Sequence, residues 1–231
     1  MATKRVVVLQ SNYLPWKGYF DLIRKADLFI FYDDVQFTKN DWRNRNKIKT
    51  PEGTAWISIP CGTDLKRLIN QVTIHKHDWQ RDHWNRICIH YSNAPFFNVY
   101  KPFFEEFYLN KKWTNLSELN QYLIEAIAEQ FLGLTTTFEN SSRYAPVGTR
   151  LDRLIDVLKK SGATEYISGP SARSYLSEAR FLKEHIKLTW MDYLHYPEYH
   201  QQFPPFVHEV SIIDLLFNEG PGAIRYFDPV N

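Results

Sequence analysis

Residues 5–34 decide the fold, and they read RVVVLQSNYLPWKGYFDLIRKADLFIFYDD. Residues 5–9 form a continuous apolar, β-branched run, which is typical of a strand buried on both faces of a sheet. Apolar residues at helical spacing follow between positions 19 and 26, and residues 28–32 form a second buried-strand run. A strand, a helix and a second strand in this order predict a βαβ unit with parallel strands.

The carboxyl ends of parallel strands meet at one edge of a sheet, where open α/β folds bind their ligands. Residues 10–18 and 33–36 directly follow the two predicted strands, so we expect them to converge at such an edge. Further strands are predicted at residues 55–60, 71–75, 135–138, 165–168 and 188–193, and helices at residues 79–91, 103–108, 116–132, 151–160, 172–185 and 212–218. The pattern predicts an α/β fold with a Rossmann-like parallel sheet flanked by helices, in one domain over residues 1–231 with a helical insertion at roughly 78–132.

Length and composition exclude several classes of protein. The 231 residues are enough for a self-sufficient core, and 28 Lys plus Arg against 26 Asp plus Glu leave a net charge of only +2. A broad nucleic-acid surface needs a larger positive charge, so no nucleic-acid partner is predicted. The 2 cysteines suit a reducing compartment, and no apolar run approaches the ~18 residues of a membrane span. We therefore predict a cytoplasmic protein with no membrane span.

Aromatic residues are abundant, with 7 Trp, 14 Tyr and 16 Phe. Rings fill protein cores, but they also line ligand pockets. The loop after the first predicted strand combines rings with polar groups and opens a helix, whose free N–H groups would attract an anion together with Lys17. The candidate substrate-binding residues in this loop are Gln10, Tyr13, Pro15, Lys17, Gly18 and Tyr19. The alternative is an ordinary turn in which Trp16 covers the core.

Two adjacent carboxylates, Asp33 and Asp34, follow the second predicted strand. Successive side chains on a strand point to opposite faces, so the two carboxylates are expected to have different roles. One would be a structural acceptor, and the other a general base or a ligand for an amine. The alternative is that both only solvate the end of the strand. Gln36, close behind them, is a candidate substrate-binding residue.

Histidine and cysteine supply further candidates. His83 on a predicted helix could act as an acid or a base, or it could be a partly buried structural residue. His75 and His77 could join it in a zinc site, but their spacing matches no zinc motif, so no metal is predicted. Cys61, at the end of a predicted strand, could act as a nucleophile, but nothing around it in the sequence indicates a lowered pKa, so its reactivity stays open. Cys88 lies in an apolar helical pattern and is expected in the core.

A cluster of charged, amide and aromatic residues occupies residues 41–46, which read DWRNRN. Arginine forks suit phosphate or carboxylate, and an indole offers a stacking surface. A sugar nucleotide or a carrier phosphopantetheine would satisfy both, while RNA and a merely solvated loop are the alternatives. The candidate substrate-binding residues here are Trp42, Arg43, Asn44 and Arg45. Ser168 and Arg173, after another predicted strand, form a second candidate anion site.

Several motifs are spread over nearly the whole chain. They are Gln10-x-x-Tyr13-x-Pro15-x-x-Gly18-Tyr19, Tyr32-Asp33-Asp34-Val35-Gln36, Trp42-Arg43-Asn44-Arg45-Asn46, Tyr91-x-x-Ala94-Pro95-Phe96-Phe97, Asn140-Ser141-Ser142 and Ser211-Ile212-Ile213-Asp214-Leu215-Leu216-Phe217-Asn218. Together and in this order, they resemble the WbqC-like family. The resemblance implies a bacterial protein whose relatives lie among genes for the biosynthesis of O-antigen (the outer part of lipopolysaccharide) and other surface glycans.

Residues 14–37 also resemble the start of pantothenate synthetase and related nucleotidylyltransferases. In those enzymes a His-x-Gly-His turn lies between the first strand and the first helix. Trp16 and Tyr19 stand where the two histidines would be, so the groups that hold a triphosphate are missing. The resemblance therefore implies a Rossmann-like layout, and it does not extend to the activation of a substrate by ATP.

These observations predict an enzyme that transfers an acyl or aminoacyl group to the amine of an amino sugar or of a nucleotide-linked amino sugar. Asp33 or Asp34 would take up the proton of the amine, with His83 in reserve. Gln10, Tyr13 and Asn44 would orient the acceptor, and Lys17, Arg43 and Arg45 would bind phosphate. The candidate donor is an acyl thioester carried by coenzyme A or by an acyl carrier protein, and no other cofactor is predicted.

Two other functions remain open at this point. A non-catalytic component could bind a sugar nucleotide or a glycan and deliver it to a partner transferase. An ATP-using ligase is a third hypothesis, which the missing histidines argue against.

Overall fold

The computed structural model describes residues 3–227. Its strands are β1 (Arg5–Leu9), β2 (Leu28–Phe31), β3 (Arg45–Thr50), β4 (Gly53–Ser58), β5 (Thr137–Asn140), β6 (Glu165–Ser168) and β7 (Lys187–Trp190). Five of them form a parallel sheet in the order β5-β2-β1-β6-β7, so the α/β prediction with a parallel sheet is confirmed. The chain first builds outward from β1 to β2 and β5, and then continues on the other side of β1 with β6 and β7. The strand order therefore reverses between β1 and β6.

The helices are α1 (Lys17–Lys25), α2 (Asp78–Tyr91), α3 (Phe97–Glu105), α4 (Leu116–Ala126), α5 (Arg150–Lys160), α6 (Glu178–Lys183) and α7 (Ile212–Glu219). They cover both faces of the sheet. Val7 and Phe29 point to one face, where they belong to a large core with residues of α1 to α4 and α7. Val6 and Val8 point to the other face, where they pack with residues of α5 and α6. Burial on both faces explains why β1 is a continuous apolar run.

A hairpin and three helices lie between the second and third strands of the parallel sheet. Strands β3 and β4 pair antiparallel, with Lys47 opposite Trp56. Helices α2, α3 and α4 follow, and α3 and α4 each end in a wider helical turn, which reaches Asn110 and Phe131 respectively. Together with α1 and α7, these helices cover the first face of the sheet, and α4 reaches the loops at its carboxyl edge.

Three details of the predicted secondary structure are wrong. Residues 71–75 form no strand. Val72 and Ile74 are buried and alternate with exposed neighbours, as in a strand, but the segment has no partner strand among the described residues and forms only an isolated bridge between Thr73 and Asn115. Residues 45 and 46, which belong to the polar cluster and to no predicted strand, begin β3, because β4 pairs with them. Residues 172–185 are a short turn of helix over Pro170–Ser174 followed by the six-residue α6.

The helices within residues 3–227 can be compared with a membrane-spanning helix in length and apolar character. None of the helices in this part of the chain combines the length and the apolar character needed to cross a bilayer.

Candidate functional site

A cavity of about 1030 Å³ lies where the strand order reverses, at the carboxyl ends of β1 and β6. This crevice is the place where open α/β sheets bind ligands, because neighbouring loops diverge there to opposite faces. Its polar and aromatic lining comes from the loop after β1 (Gln10, Asn12, Trp16, Tyr19), Tyr32 after β2, the loop before β3 (Asp41, Trp42, Arg43), Arg150 at the start of the helix over Arg150–Lys160, the turn after β6 (Ser168, Gly169, Ser171, Tyr175) and Tyr193 beyond β7. We call this cavity the switch-point pocket.

Arg43 is fixed at the wall of the switch-point pocket by contacts with two loops. Its Nη1 donates a hydrogen bond to Asn12 Oδ1 at 2.7 Å, and its Nη2 donates to Gln10 Oε1 at 3.3 Å. The backbone is held as well, because Asn120 Nδ2 donates to the carbonyl of Arg43 at 2.8 Å. The buried Nε has no hydrogen-bond partner in the described part of the chain. A guanidinium held in one orientation with N–H groups to spare is suited to a phosphate or a carboxylate.

Asp41 is the one carboxylate among the described residues that line the pocket. Thr38 Oγ1 donates to its Oδ2 at 2.6 Å, and the amide of Trp42 donates to its Oδ1 at 2.7 Å. Arg43 Nη2 lies 3.7 Å from Asp41 Oδ2. Burial acts to raise the pKa of Asp41, but the charge of Arg43, these two hydrogen bonds and the charge of Arg45 outweigh burial and lower the pKa below its usual range. Asp41 is therefore a carboxylate at neutral pH and can hold a cationic or N–H-bearing group.

Aromatic rings form much of the remaining wall. Trp16 lies edge-on to Tyr193 with 5.0 Å between ring centroids. Tyr19 donates its hydroxyl hydrogen to the carbonyl of Gln10 at 3.0 Å, which shapes the start of the loop. Gly18 allows Trp16 to fold back over α1, since a Cβ at Gly18 would lie 2.3 Å from the indole. Tyr175 is 69% exposed and stands at the mouth of the pocket.

The predicted site residues divide into those that line the switch-point pocket and those that do not. Gln10, Tyr19, Trp42, Arg43 and Ser168 line it. The structure thus brings together parts of three segments that were predicted separately: the loop after β1, the cluster before β3 and the turn after β6. The other predicted residues lie outside the pocket, and they make contacts elsewhere in the fold.

Asp33 and Asp34 lie outside the pocket and are already engaged. Asp33 is buried and accepts hydrogen bonds from the amide of Ser11 at 2.8 Å, from the hydroxyl of Ser117 and from Gln121 Nε2 at 3.0 Å. Asp34 pairs with Arg153 at 2.5 Å. These contacts join the sheet edge to α4 and α5, so they favour a structural role for both carboxylates over the predicted role of a base.

His83 and Tyr13 lie in the core and not at the pocket. The Tyr13 hydroxyl lies 2.9 Å from His83 Nδ1 and 2.5 Å from the hydroxyl of Tyr108. Burial lowers the pKa of His83 to about 3, and the charge of Arg86 adds to this effect. His83 is therefore neutral over the physiological range, with its ring occupied by core contacts.

Lys17 was predicted to face an anion, but its side chain turns away from the pocket and is 2% exposed. Its Nζ donates to the carbonyl of Pro197 at 2.9 Å and lies 5.1 Å from the ring centroid of Tyr196 and 5.3 Å from that of Tyr199. Burial lowers the pKa of Lys17 to about 8, against the opposing charge of Glu198. Lys17 thus anchors the segment after β7 to the start of α1.

The remaining predicted residues have local partners. Pro15 accepts a hydrogen bond from the amide of Ile212 at 2.9 Å, Gln36 donates to the carbonyl of Leu65 at 3.1 Å and Asn44 donates to the carbonyl of Ile59 at 2.9 Å. Arg45 lies over the ring of Trp56 and Arg173 lies over that of Trp190, with 4.2 Å and 5.3 Å to the centroids. None of these residues belongs to the lining of the switch-point pocket.

Two other kinds of site, a metal site and a reactive thiol, can be compared with the described residues. Residues 3–227 contain no group of three or more His, Cys, Asp or Glu side chains placed to hold a metal ion. Burial raises the pKa of the Cys61 thiol to about 12, so it is not a thiolate at neutral pH.

Several lining residues were not predicted as site residues. Asn12, Trp16 and Asp41 lie within the segments that the sequence singled out, so their position after β1 or before β3 was an available signal. Tyr193 lies beyond β7 in a segment without regular structure. Its place at the pocket results from contacts with Trp16, far away in sequence, and no local pattern indicates it.

Comparisons with known proteins point to one family. Residues 10–226 match the sequence profile of the WbqC-like protein family. The chain is 44% identical over 228 residues to the uncharacterized protein Rv1507c of Mycobacterium tuberculosis, a match that covers 96% of this chain and 98% of the relative. No solved structure is significantly similar to the chain.

Proposed function

Because the chain belongs to the WbqC-like protein family, we propose that it acts in surface-glycan biosynthesis by transferring an acyl or aminoacyl group to the amine of a nucleotide-linked amino sugar. The surface-glycan setting is the one that the family resemblance implies. The observation that carries the rest is the position of Arg43, held by Asn12 and Gln10 at the wall of a large pocket where the strand order of the sheet reverses.

The pocket matches the parts of a sugar nucleotide. Arg43 offers charge-assisted hydrogen bonds to the diphosphate. Tyr175, which is 69% exposed at the mouth, offers a flat surface on which the base of the nucleotide can stack. A volume of about 1030 Å³ lies at the upper end of the range for small-molecule sites, which suits a ligand made of a base, a diphosphate and a sugar.

Asp41 is proposed to orient the amine of the sugar. The neutral amine donates an N–H to the carboxylate, and this directs its lone pair at the carbonyl carbon of an acyl thioester. A C–N bond forms, the C–S bond breaks, and the departing thiolate takes up the proton that the amine loses. Because its pKa is lowered, Asp41 acts in this scheme as a hydrogen-bond acceptor and not as the final proton carrier.

A non-catalytic component that binds a sugar nucleotide for a partner transferase is the second candidate. The observation in its favour is that Asp33, Asp34 and His83, the predicted bases, all lie outside the lining of the pocket. Such a component needs Arg43 and the aromatic wall but has no need for a base.

One experiment separates the two functions. The protein is incubated with UDP-, GDP- and dTDP-linked amino sugars together with acetyl-coenzyme A or an aminoacyl thioester, and the products are searched by mass spectrometry for the mass of an amide. Arg43→Ala serves as the pocket variant, and Arg143→Ala, at a site 70% exposed, serves as its control.

An amide formed by the wild type and the control, but not by Arg43→Ala, would support the transferase. Binding of a nucleotide-linked sugar without product from any donor would support the binding component. If no nucleotide-linked sugar binds at all, both candidates are wrong.

A further inference from the structure

Two tryptophans are exposed side by side next to the switch-point pocket. Trp42 is 41% exposed and Trp56, on β4, is 39% exposed. Their ring centroids are 5.4 Å apart and their planes are inclined by 38°. Trp42 also lines the pocket, so the pair continues the aromatic wall of the pocket onto the outer surface of the hairpin. Two adjacent, partly exposed indoles form a surface on which a planar ligand can stack.

Two cations accompany this aromatic pair. The guanidinium carbon of Arg45 lies 4.2 Å from the ring centroid of Trp56, and the Nζ of Lys47 lies 5.3 Å from it. Lys47 is directly opposite Trp56 in the hairpin, and Arg45 lies two positions before it on the same face of β3. In residues 3–227 neither cation forms an ion pair. The outer face of the hairpin thus combines a stacking surface with two positive charges. We call these four side chains, Trp42, Trp56, Arg45 and Lys47, the hairpin patch.

We infer that the hairpin patch binds the adenosine 3′-phosphate 5′-diphosphate portion of a coenzyme A thioester, the acyl donor of the proposed reaction. This inference rests on the proposed function, since it assigns the donor of that transfer. An adenine ring stacks on an exposed indole, and stacking of a base on an aromatic side chain is a strong and general contact. Arg45 and Lys47 are placed to meet the phosphates beside the base.

The position of the patch suits a donor better than an acceptor. Within the switch-point pocket, Arg43 is placed to contact the diphosphate of the acceptor and Asp41 to contact its amine. Trp42 lies at the border of pocket and patch, so a pantetheine arm that starts at the patch enters the pocket past this ring. The thioester carbon then meets the amine of the sugar inside the pocket, and the adenosine portion stays outside.

Coenzyme A fits the patch better than an acyl carrier protein. A carrier protein presents an acidic surface, which calls for a broad set of cations on its partner. The patch has two cations beside two rings, and the chain as a whole has a net charge of only +2. A phosphopantetheine arm attached to a carrier also lacks the adenine ring that would occupy the tryptophans.

The test compares ligands and variants by titration calorimetry and by quenching of tryptophan fluorescence. The ligands are coenzyme A, dephospho-coenzyme A, which lacks the 3′-phosphate, and 4′-phosphopantetheine, which lacks the adenosine portion. UDP serves as the separate probe of the switch-point pocket. The variants are Trp56→Leu and the double variant Arg45→Gln with Lys47→Gln. Trp190→Leu is the matched control, since Trp190 also carries an arginine over its ring but outside the patch.

We expect Trp56→Leu and the double variant each to weaken coenzyme A binding by about tenfold or more. Dephospho-coenzyme A and 4′-phosphopantetheine should bind more weakly than coenzyme A to the wild type. Trp190→Leu should bind coenzyme A as the wild type does, and a UDP-saturated protein should still bind it.

Three results would overturn the inference. The first is UDP binding without coenzyme A binding, which leaves the proposed acceptor site intact and rejects only the donor. The second is competition of coenzyme A with UDP for one site, which would make the patch a part of the pocket. The third is equal affinity for coenzyme A and 4′-phosphopantetheine, which would point to a carrier-bound donor. Failure of UDP and all nucleotide-linked sugars to bind would instead reject the proposed function itself.

Discussion

The guanidinium of Arg43 donates a hydrogen bond to Asn12 Oδ1 at 2.7 Å, and this contact joins the loop after β1 to the loop before β3. Both loops line the switch-point pocket, but they belong to different units of the fold, the parallel sheet and the hairpin. The backbone supports the same junction, because the amide of Tyr13 donates to the carbonyl of Trp42 at 2.9 Å. The hairpin is therefore held in a defined position relative to the carboxyl edge of the sheet, and the loop that leads into it forms part of the pocket wall.

Replacing Arg43 tests whether this junction binds an anion. Arg43→Ala should weaken the binding of a nucleotide-linked sugar by about 10- to 100-fold, since charge-assisted hydrogen bonds contribute about 1.5–3 kcal/mol. Arg43→Lys should recover only part of the loss, because an ammonium cannot reach Asn12, Gln10 and a phosphate together. Titration calorimetry measures both effects, with the exposed Arg143→Ala as the control. Wild-type affinity in Arg43→Ala would show that the anion, if any, binds elsewhere.

Asp33→Asn distinguishes a structural carboxylate from a catalytic one. The amide of Ser11 donates to one oxygen of Asp33, and Ser117 and Gln121 donate to the other, so the NH2 group of an asparagine would face a donor whichever way the side chain is turned. The free energy of unfolding should fall by about 1–3 kcal/mol, as measured by urea denaturation. Amide formation per folded molecule should stay close to that of the wild type. A large loss of turnover with unchanged stability would restore the role of Asp33 as a base.

Gly18→Ala should disturb the aromatic wall. The added Cβ would lie 2.3 Å from the indole of Trp16, so the ring must move from its place against Tyr193. We expect a loss of about 1–3 kcal/mol in stability, together with weaker binding of a nucleotide-linked sugar. Gly222→Ala is the matched control, because nothing lies within 4 Å of a Cβ at that position. Equal melting temperatures of the two variants would contradict the close approach at Gly18.

The buried ammonium of Lys17 predicts a pH dependence of stability. Burial lowers the pKa of Lys17 to about 8 from its usual value of 10.5. Between these values the unfolded chain binds more protons than the folded protein, so the contribution of Lys17 to the free energy of unfolding rises with pH and levels off above the window. Relative to Lys17→Met, the free energy of unfolding of the wild type should rise by about 1–3 kcal/mol as the pH increases from 8 to 10.5. The lower figure allows for water near the ammonium.

Urea denaturation at several pH values between 8 and 10.5 measures this gain as the difference between wild type and variant. Taking the difference removes the titration of tyrosines and other groups that both proteins share. Lys183→Met, at an exposed position of α6, controls for the loss of a positive charge. A difference that does not change with pH would contradict a lowered pKa of Lys17.

The strands that carry the site could be predicted because their local signal is strong. β1 and β2 are buried on both faces, so each is an unbroken apolar run in the sequence. The parallel arrangement then places the segments after them at one edge, which is why Gln10 could be expected near a ligand. Arg43 was a candidate on composition alone, as a guanidinium beside an indole.

The sequence is least informative for residues whose surroundings come from distant segments. Lys17 would face an anion if α1 stood alone, but Pro197 and the rings beside it, contributed about 180 positions later, cover its side chain. Asp33 looks like a free carboxylate at the end of a strand, but α4 brings Ser117 and Gln121 against it. No periodicity near Lys17 or Asp33 carries information about these long-range contacts.

A crystal structure of the protein with a UDP-linked amino sugar bound would show directly whether Arg43 holds the phosphates of the ligand. We predict the diphosphate within hydrogen-bond distance of Arg43 in the switch-point pocket, with the amine of the sugar turned towards Asp41. A ligand bound outside this pocket, or bound inside it with no phosphate in contact with Arg43, would show that Arg43 is not the phosphate-binding residue of a sugar-nucleotide site.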